Sequence, residues 1–255
     1  YAALSAEDAH GLNVAVGSQA LRVQNAGDNA YNVGVGYNAG GSITTGTANT
    51  AIGGLALDAE TVGASNVAVG YAALTDQVSS GGTGTYNTAV GHLAGENITS
   101  GIQNTIIGGL AGDALTDADY NVALGYGALS ADTLGSMSVA VGRFALSAQN
   151  MTTATDSLNV AVGMNAGVSV TTGVQNTLIG ALAGDALTDA DFNVAVGLGA
   201  LSTDVLGSNS TAIGTNALAL QNFTTATNAY NVAVGANTGL NVTTGTQNTY
   251  IGALA

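Results

Sequence analysis

The 255-residue chain has no cysteine, no proline and no tryptophan, and only 7% of its residues are charged. Without cysteine it can form neither a disulfide framework nor a thiolate metal site. Arg22 and Arg143 are its only basic residues against sixteen acidic ones, which gives a net charge of -14. Because so little positive charge is available to neutralise phosphates, we expect no nucleic-acid partner.

Long apolar runs and enzyme motifs are also missing. Apolar residues make up 46% of the chain, yet Gly, Asn, Thr or Asp interrupts each stretch before it reaches the roughly eighteen residues of a membrane span. His10 and His92 stand alone, and no nucleophile-elbow, zinc-protease or phosphate-loop motif occurs. We therefore expect no direct membrane contact in this segment, no enzymatic activity and no cofactor.

The chain does contain a repeat. The phrase Asn-Val-Ala-Val-Gly and its variants recur fourteen times, and we call the last residue of each copy the motif glycine. Successive motif glycines are mostly 17 residues apart, but they are 21 apart after Gly70, Gly142 and Gly214 and 19 apart after Gly17. This gives a super-period of 72 residues, with super-repeats at about 20–91, 92–163 and 164–235. Such repetition is typical of solenoid proteins.

Each repeat has the alternation of a short β-strand. Val, Ile or Leu precedes every motif glycine, and Val or Thr stands two residues earlier. β-branched residues at a period of two favour a strand, and strands repeated at this spacing stack as successive coils. The sequence therefore predicts an all-β fold, a parallel β-solenoid of about fifteen coils of 17–21 residues that runs through residues 1–255 as one continuous array.

The alternation also predicts which face of the strand is buried. We expect the β-branched pair to point into the coil, since large apolar side chains are usually buried. The residue between the pair is alanine in ten copies, including Ala15, Ala68, Ala140 and Ala212, and would then point outward. A small, uncharged outward row over so many coils would be a large apolar patch, so we expect chains to associate through it.

Two further positions recur with structural meaning. Asparagine stands four residues before the motif glycine in twelve copies, and stacked asparagines can form a ladder of side-chain hydrogen bonds. The motif glycine suits a turn that needs a positive φ or a close backbone approach. Representative pairs are Asn13 and Gly17, Asn32 and Gly36, Asn104 and Gly108, Asn176 and Gly180, and Asn248 and Gly252.

The phrases Asn-Val-Ala-Val-Gly and Asn-Thr-Ala-Ile-Gly, each followed by two residues and an alanine, resemble the head repeats of trimeric autotransporter adhesins of the YadA-like type. The Thr-Thr-Gly and Gln-Asn-Thr variants around residues 172–177 and 244–249 resemble related repeats of phage and bacterial tail fibres. The resemblance covers the whole chain. It implies a left-handed β-roll, a homotrimer, and attachment to a host or surface glycan or protein receptor. It also implies an extracellular location, on a microbial cell surface or a virion fibre.

Both ends of the sequence fall inside a repeat, so we expect an excerpt of a longer fibre. Residues 1–4 match the residues that follow Gly70, and the chain stops three residues after Gly252. Three functions are open at this point. The first is a structural and attachment fibre, the second is a mechanical spacer whose binding tip lies elsewhere, and the third is a carbohydrate-processing phage spike. The spike would need a carboxylate pair that breaks the repeat.

The acidic residues cluster in two equivalent segments. Oxygen-rich loops are what Ca²⁺ binds, so these carboxylates are candidate metal ligands, although their spacing matches no EF-hand. The alternative is that they are solvated and keep the fibre soluble. The candidates are Asp113, Asp117 and Asp119 and, 72 residues later, Asp185, Asp189 and Asp191.

The 21-residue coils add four residues each, which must leave the roll as loops if the strands keep their register. We expect these loops to contact a partner, the alternative being that they cover a core edge. Aromatic residues before the motif asparagines, such as Tyr31 and Tyr230, either cap the core or stack on a sugar. The candidate contact residues are Met151, Thr152 and Thr153 and their equivalents Phe223, Thr224 and Thr225.

Overall fold

The computed structural model describes residues 2–7, 11–81 and 84–255. These residues form two compact units, one ending at Ala123 and the other running from Leu124 to Ala255. Each unit is a parallel β-solenoid, which confirms the predicted fold class. The described residues contain no helix, and hence none with the length and apolar character of a membrane span.

The first unit contains one three-residue strand per coil. Consecutive strands pair in parallel without a shift in register, so that Val14 lies opposite Val33 and Val33 opposite Thr50. The strands are β1 (Val14–Val16), β2 (Val33–Val35), β3 (Thr50–Ile52), β4 (Val67–Val69), β5 (Thr88–Val90) and β6 (Thr105–Ile107), and β7 (Val122–Leu124) spans the boundary between the units.

The second unit repeats this arrangement and adds two small sheets. In the main sheet the strand order is β9-β11-β12-β13-β15-β17-β18, again parallel. The small sheets pair β8 with β10 and β14 with β16. The strands are β8 (Gly135–Ser136), β9 (Val139–Val141), β10 (Thr155–Asp156), β11 (Val160–Val162), β12 (Thr177–Ile179), β13 (Val194–Val196), β14 (Gly207–Ser208), β15 (Thr211–Ile213), β16 (Thr227–Asn228), β17 (Val232–Val234) and β18 (Thr249–Ile251).

The strand faces are reversed relative to the prediction from sequence. Ala68, Ala140 and Ala212, at the middle of their strands, are fully buried inside the coil. The β-branched residues on either side point outward, and Ile52 and Ile179 are each 39% exposed. The predicted outward alanine row is therefore wrong, and so is the idea that it forms an association surface.

The opposite wall of the coil explains this reversal. Leu21, Leu74 and Leu146, each four residues after a motif glycine, are fully buried and fill the interior from the far side. A Cβ atom on Gly34, a mid-strand residue, would lie 2.8 Å from Cγ of Leu21. Because the interior is close-packed, a small residue fits in the strand and a β-branched one does not.

The core is filled by two kinds of coil. In one kind, leucine stands four residues after the motif glycine and a buried Gln, Glu or Asp stands seven after it, as in Leu146 and Gln149. In the other kind, glycine takes the fourth place and Ile, Leu or Val the seventh, as in Gly167 and Val170. Each coil thus carries one bulky apolar residue on this wall.

The predicted asparagine ladder is confirmed. The buried side chain of Asn176 accepts a hydrogen bond at Oδ1 from the backbone N–H of Asn193, 3.0 Å away in the next coil. Its Nδ2 donates to the carbonyl oxygen of Ala190 at 2.7 Å. The same pair of bonds is made by Asn32, Asn49 and other motif asparagines, so each amide ties two coils together.

The motif glycines also behave as predicted. Gly163 has a φ of 140°, and a Cβ atom there would lie 2.5 Å from the carbonyl oxygen of Gly180 in the next coil. The corners of the coil use left-handed residues other than glycine as well, including Leu74 with φ 51° and Tyr86 with φ 54°. Such a conformation costs about 1–2 kcal/mol per residue, and nothing in the sequence indicated it.

Candidate functional site

The outward side of the strands is apolar and nearly uncharged. We call the residues one and three before each motif glycine the outer rows, and among them Ile107 is 40% exposed and Ile213 39%. Positions five before and one after the motif glycine flank the outer rows and carry exposed aromatics such as Tyr31 and Tyr37. None of the sixteen acidic residues falls in these four rows. Depletion of charge with enrichment of aromatics is typical of the core of a protein interface.

The aromatic side chains do not cap the core. Tyr31, Tyr120 and Tyr230 are between 45% and 57% exposed, which excludes the first of their two predicted roles. On the row after the motif glycine, the rings of Tyr71 and His92 stack with centroids 5.7 Å apart. Their packing along the surface keeps the face flat. Whether these rings stack on a sugar stays a prediction, and His10 lies outside the described residues.

A second surface feature is formed by the long-coil loops, which we define as residues 151–154 and 223–226. Thr152, Thr153, Thr224 and Thr225 are exposed, as predicted for loops that leave the roll. The small sheet β8–β10 follows the first loop and β14–β16 the second, so both loops end in a paired strand.

Two of the predicted contact residues require correction. The side chain of Met151 is only 4% exposed and that of Phe223 only 6%. Both pack under their loop rather than projecting from it, because an apolar side chain at the loop entry is more stable against the core. The surface that a partner could reach is therefore made of threonine and alanine.

The sequence reasoning missed three buried carboxylates: Glu60, Asp132 and Asp204 are fully buried and lie 72 residues apart. Asp204 accepts hydrogen bonds at Oδ1 from the backbone N–H groups of Gly207, at 3.1 Å, and Phe223, at 2.9 Å. Its Oδ2 accepts from Nε2 of Gln221 at 2.6 Å. A carboxylate with this many donors satisfies its buried oxygens without a cation.

Asp132 repeats this geometry in the preceding super-repeat. Its Oδ1 accepts from the N–H groups of Gly135 and Met151, each at 3.0 Å, and its Oδ2 from Nε2 of Gln149 at 2.5 Å. Phe223 and Met151 are the first residues of the long-coil loops. Each loop is therefore tied at its start to a buried acid in the coil before it.

Glu60 makes the equivalent contacts at the first 21-residue coil. Its Oε1 accepts from the N–H groups of Thr61 and Gly63 at 2.7 and 2.8 Å, and its Oε2 from Oγ of Ser79 at 2.6 Å. Burial by itself raises the pKa of Glu60, but hydrogen bonds from Ser79, Gln77 and the backbone outweigh it, so the pKa is lowered overall.

The candidate metal ligands do other work. Asp117 and Asp189 each accept a hydrogen bond from a hydroxyl of the preceding coil, Ser100 at 2.6 Å and Thr172 at 2.7 Å. Asp119 and Asp191 each accept a backbone N–H at 2.8 Å. In the part of the chain that the structure describes, no three His, Asp or Glu side chains lie close enough to hold a metal ion.

The remaining two candidates, Asp113 and Asp185, are half-buried, and each has one buried carboxylate oxygen without a hydrogen-bond partner. Burial raises the pKa of both carboxyl groups, and the nearby charge of Glu96 adds to the effect on Asp113. These residues therefore cost stability when ionised instead of forming a site.

One open cavity of about 620 Å³ lies against the last coil. It is lined by Leu240, Val242 and Tyr250 together with asparagine and threonine side chains, and its lining contains no carboxylate, imidazole or cation. This lining offers no acid–base pair and no activated nucleophile.

Comparison of the chain with protein-family models gave no match, and comparison with curated proteins gave none either. The fold thus defines a β-solenoid repeat protein, and the surfaces described above carry the functional argument.

Proposed function

We propose that this chain is a non-enzymatic structural and attachment fibre. Its coils supply a regular scaffold, and its long-coil loops contact a partner at regular intervals. The observation that carries the proposal is the division of the surface into uncharged outer rows and separate, projecting threonine loops that recur every 72 residues. A repeated contact gains avidity from multivalency even when each contact is weak. Such a fibre would act outside the cell, on a microbial surface or a virion, with a glycan or protein receptor.

We further propose that the fibre is a homotrimer that buries its outer rows. The three-chain number comes from the resemblance to trimeric adhesin repeats. The outer rows replace the alanine row as the proposed surface, because they are apolar, partly exposed and free of acidic residues in a chain of net charge -14. Removing such a surface from water is favourable, at about 25 cal/mol per Å² of apolar area.

The mass of the chain in solution tests this assembly. Sedimentation equilibrium should give three times the chain mass of 24.6 kDa. The double substitution Ile179→Glu and Ile213→Glu places charges in the outer rows and should dissociate the assembly, since unpaired charges are costly in an interface core. Asn241→Glu, at an exposed position outside the outer rows, is the matched control and should leave the mass unchanged. A monomeric wild-type chain would contradict the proposal.

Attachment is tested with the long-coil loops. Replacing Thr152, Thr153, Thr224 and Thr225 by serine keeps the hydroxyl groups and removes the methyl groups, whereas replacement by glycine removes both. Binding of labelled chains to arrays of surface polysaccharides and glycoproteins should fall for the glycine variant, with the circular dichroism spectrum unchanged. If the glycine variant binds as the wild type does, the loops are not the contact. If no chain binds any probe, the result favours a spacer whose binding tip lies elsewhere.

A further inference from the structure

We infer that Glu60, Asp132 and Asp204 are positioning residues that hold the start of each 21-residue coil while they are ionised and release it when they are protonated. For Asp132 and Asp204 the released segments are the long-coil loops, so this inference rests on their proposed contact role. Acid would then switch the contact surface from an ordered to a disordered state, without unfolding the solenoid that carries it.

The geometry points to ionised acids. All three carboxylates are fully buried, and the bonds described above reach them from N–H, amide and hydroxyl donors. Around Asp204, Nε2 of Gln221 faces the carboxylate while Oε1 of Gln221 already accepts from Asn231 at 2.8 Å. A proton on Oδ2 of Asp204 would therefore meet an N–H group instead of an acceptor. Protonation would break at least one bond in a buried network, where an unpaired donor is costly.

The contact made by each acid is specific to the inserted segment. Phe223, Met151 and Ser79 each donate a backbone N–H to the acid that lies nineteen residues earlier, at 2.9, 3.0 and 3.3 Å. These residues occupy the same place in their coils. The strands of the main sheet are paired by their own ladder bonds. Loss of the carboxylate contact should therefore loosen the inserted segment before the strands.

A sequence rule supports the same assignment. An acid seven residues after a motif glycine occurs in the coils of Glu60, Asp132 and Asp204, and each is followed 17 residues later by a glutamine in a 21-residue coil. The pair Glu7 and Gln24 keeps the same spacing before the 19-residue coil. No 17-residue coil has glutamine at this place. The acid and the glutamine thus accompany the insertion wherever it occurs.

The charged and titratable surroundings differ usefully between the copies. Beside Asp132 the small sheet carries the exposed Asp156 in β10, whereas beside Asp204 the equivalent residue in β16 is Asn228. Around Glu60 the acids in the same and the next coil are Asp58 and Asp76. A pH response shared by the loops next to Asp132 and Asp204 therefore cannot come from Asp156.

Residue-resolved amide hydrogen exchange on the full chain tests the inference. In Asp204→Asn at neutral pH, amides 223–227 should exchange about tenfold faster or more, which corresponds to the loss of one hydrogen bond. Amides 151–155, held by Asp132 in the same molecule, should keep their protection and serve as the internal control. Strands β15 and β17 should also stay protected. Asp189→Asn, an exposed carboxylate, is the matched control variant and should change neither loop.

The wild-type chain provides the second measurement and needs no variant to fold. After correction for intrinsic exchange, protection of both long-coil loops should fall between about pH 5 and pH 2 while the main sheet stays protected. In Asp204→Asn the acid step at 223–227 should vanish and the step at 151–155 should remain. Unchanged protection in the variant, loops that stay protected in acid, or loss of β15 and β17 together with the loop would each overturn the inference. Because no receptor enters the measurement, its result is independent of the attachment test.

Discussion

A Cβ atom on Gly184 would lie 2.7 Å from Cδ2 of Leu178, so the large mid-strand residue of β12 fills the space that a side chain at Gly184 would need. Gly167, in the coil before, stands in the same relation to Cδ1 of Leu178 at 2.7 Å. In coils where leucine replaces this glycine, the mid-strand residue is small, as with Leu201 and Ala195. Volume is therefore shared across coils, and the packing is specific despite the low complexity of the sequence.

Neighbouring residues of β12 should respond in opposite ways to truncation. Leu178→Ala should lower the free energy of unfolding by about 2–5 kcal/mol, because a buried leucine leaves a cavity. Ile179→Ala, at a residue that is 39% exposed, should cost about 1 kcal/mol in the monomeric state. Urea unfolding of the two variants measures the difference. Equal losses, or a larger loss for Ile179, would mean that the strand faces are assigned the wrong way round.

The motif glycines should tolerate no side chain. Gly163→Ala places a Cβ atom 2.5 Å from a backbone oxygen at a φ of 140°, and should cost about 3 kcal/mol. Gly27→Ala is the matched control, since Gly27 has a φ of 69° with no atom within 4 Å of the added carbon. It should cost about 1 kcal/mol. Thermal or urea unfolding checks both values, and a tolerant Gly163 would show that the coils can separate locally.

The asparagine ladder should be worth more than its surface counterparts. Asn176→Ala leaves the N–H of Asn193 and the carbonyl of Ala190 buried without their side-chain partner, so a loss of about 3 kcal/mol is expected. Asn241→Ala, at an exposed asparagine, should be nearly neutral. The comparison is made by urea unfolding. Similar small effects at both sites would show that water replaces the ladder bonds.

Asp185 should destabilise the fold when ionised. Burial raises the pKa of its carboxyl group, so its contribution favours folding below the unfolded pKa and is lost as the pH rises through the folded pKa. Asp185→Asn should therefore raise the unfolding midpoint at pH 7 and give no gain at about pH 3. Asp189→Asn, which removes a carboxylate bonded to Thr172, should not raise the midpoint. A gain from Asp185→Asn that persists in acid would point to packing rather than charge.

The sequence predicted much of the architecture because the relevant forces are local and repeat in every coil. The β-branched alternation around Ala140 or Ala212 identifies a strand, the glycine marks a turn, and the spacing sets one coil. The asparagine ladder followed because an amide at the same place in stacked coils meets its equivalents. The long-coil loops followed because added residues have no place in a fixed register.

The candidate site was harder to predict, for a physical reason that concerns individual residues. Met151 and Phe223 lie in a loop by sequence, yet both are buried because the loop turns them toward the core. Asp132 and Asp204 look like two more acids in an acidic chain. Their burial depends on donors supplied by residues up to nineteen positions away, which only the stacking of coils brings together.

By itself, then, the sequence determined the solenoid, its period and the places where coils lengthen, because period-two alternation and a fixed spacing leave few alternatives. The tertiary structure decided which strand face is the core. Alternation is symmetric between the two faces, and the choice depends on the volume of the opposite wall, where Leu74 or Leu146 leaves space for alanine and not for valine. It also decided which acids are buried, since burial of a carboxylate is possible only where folded neighbours provide enough hydrogen-bond donors.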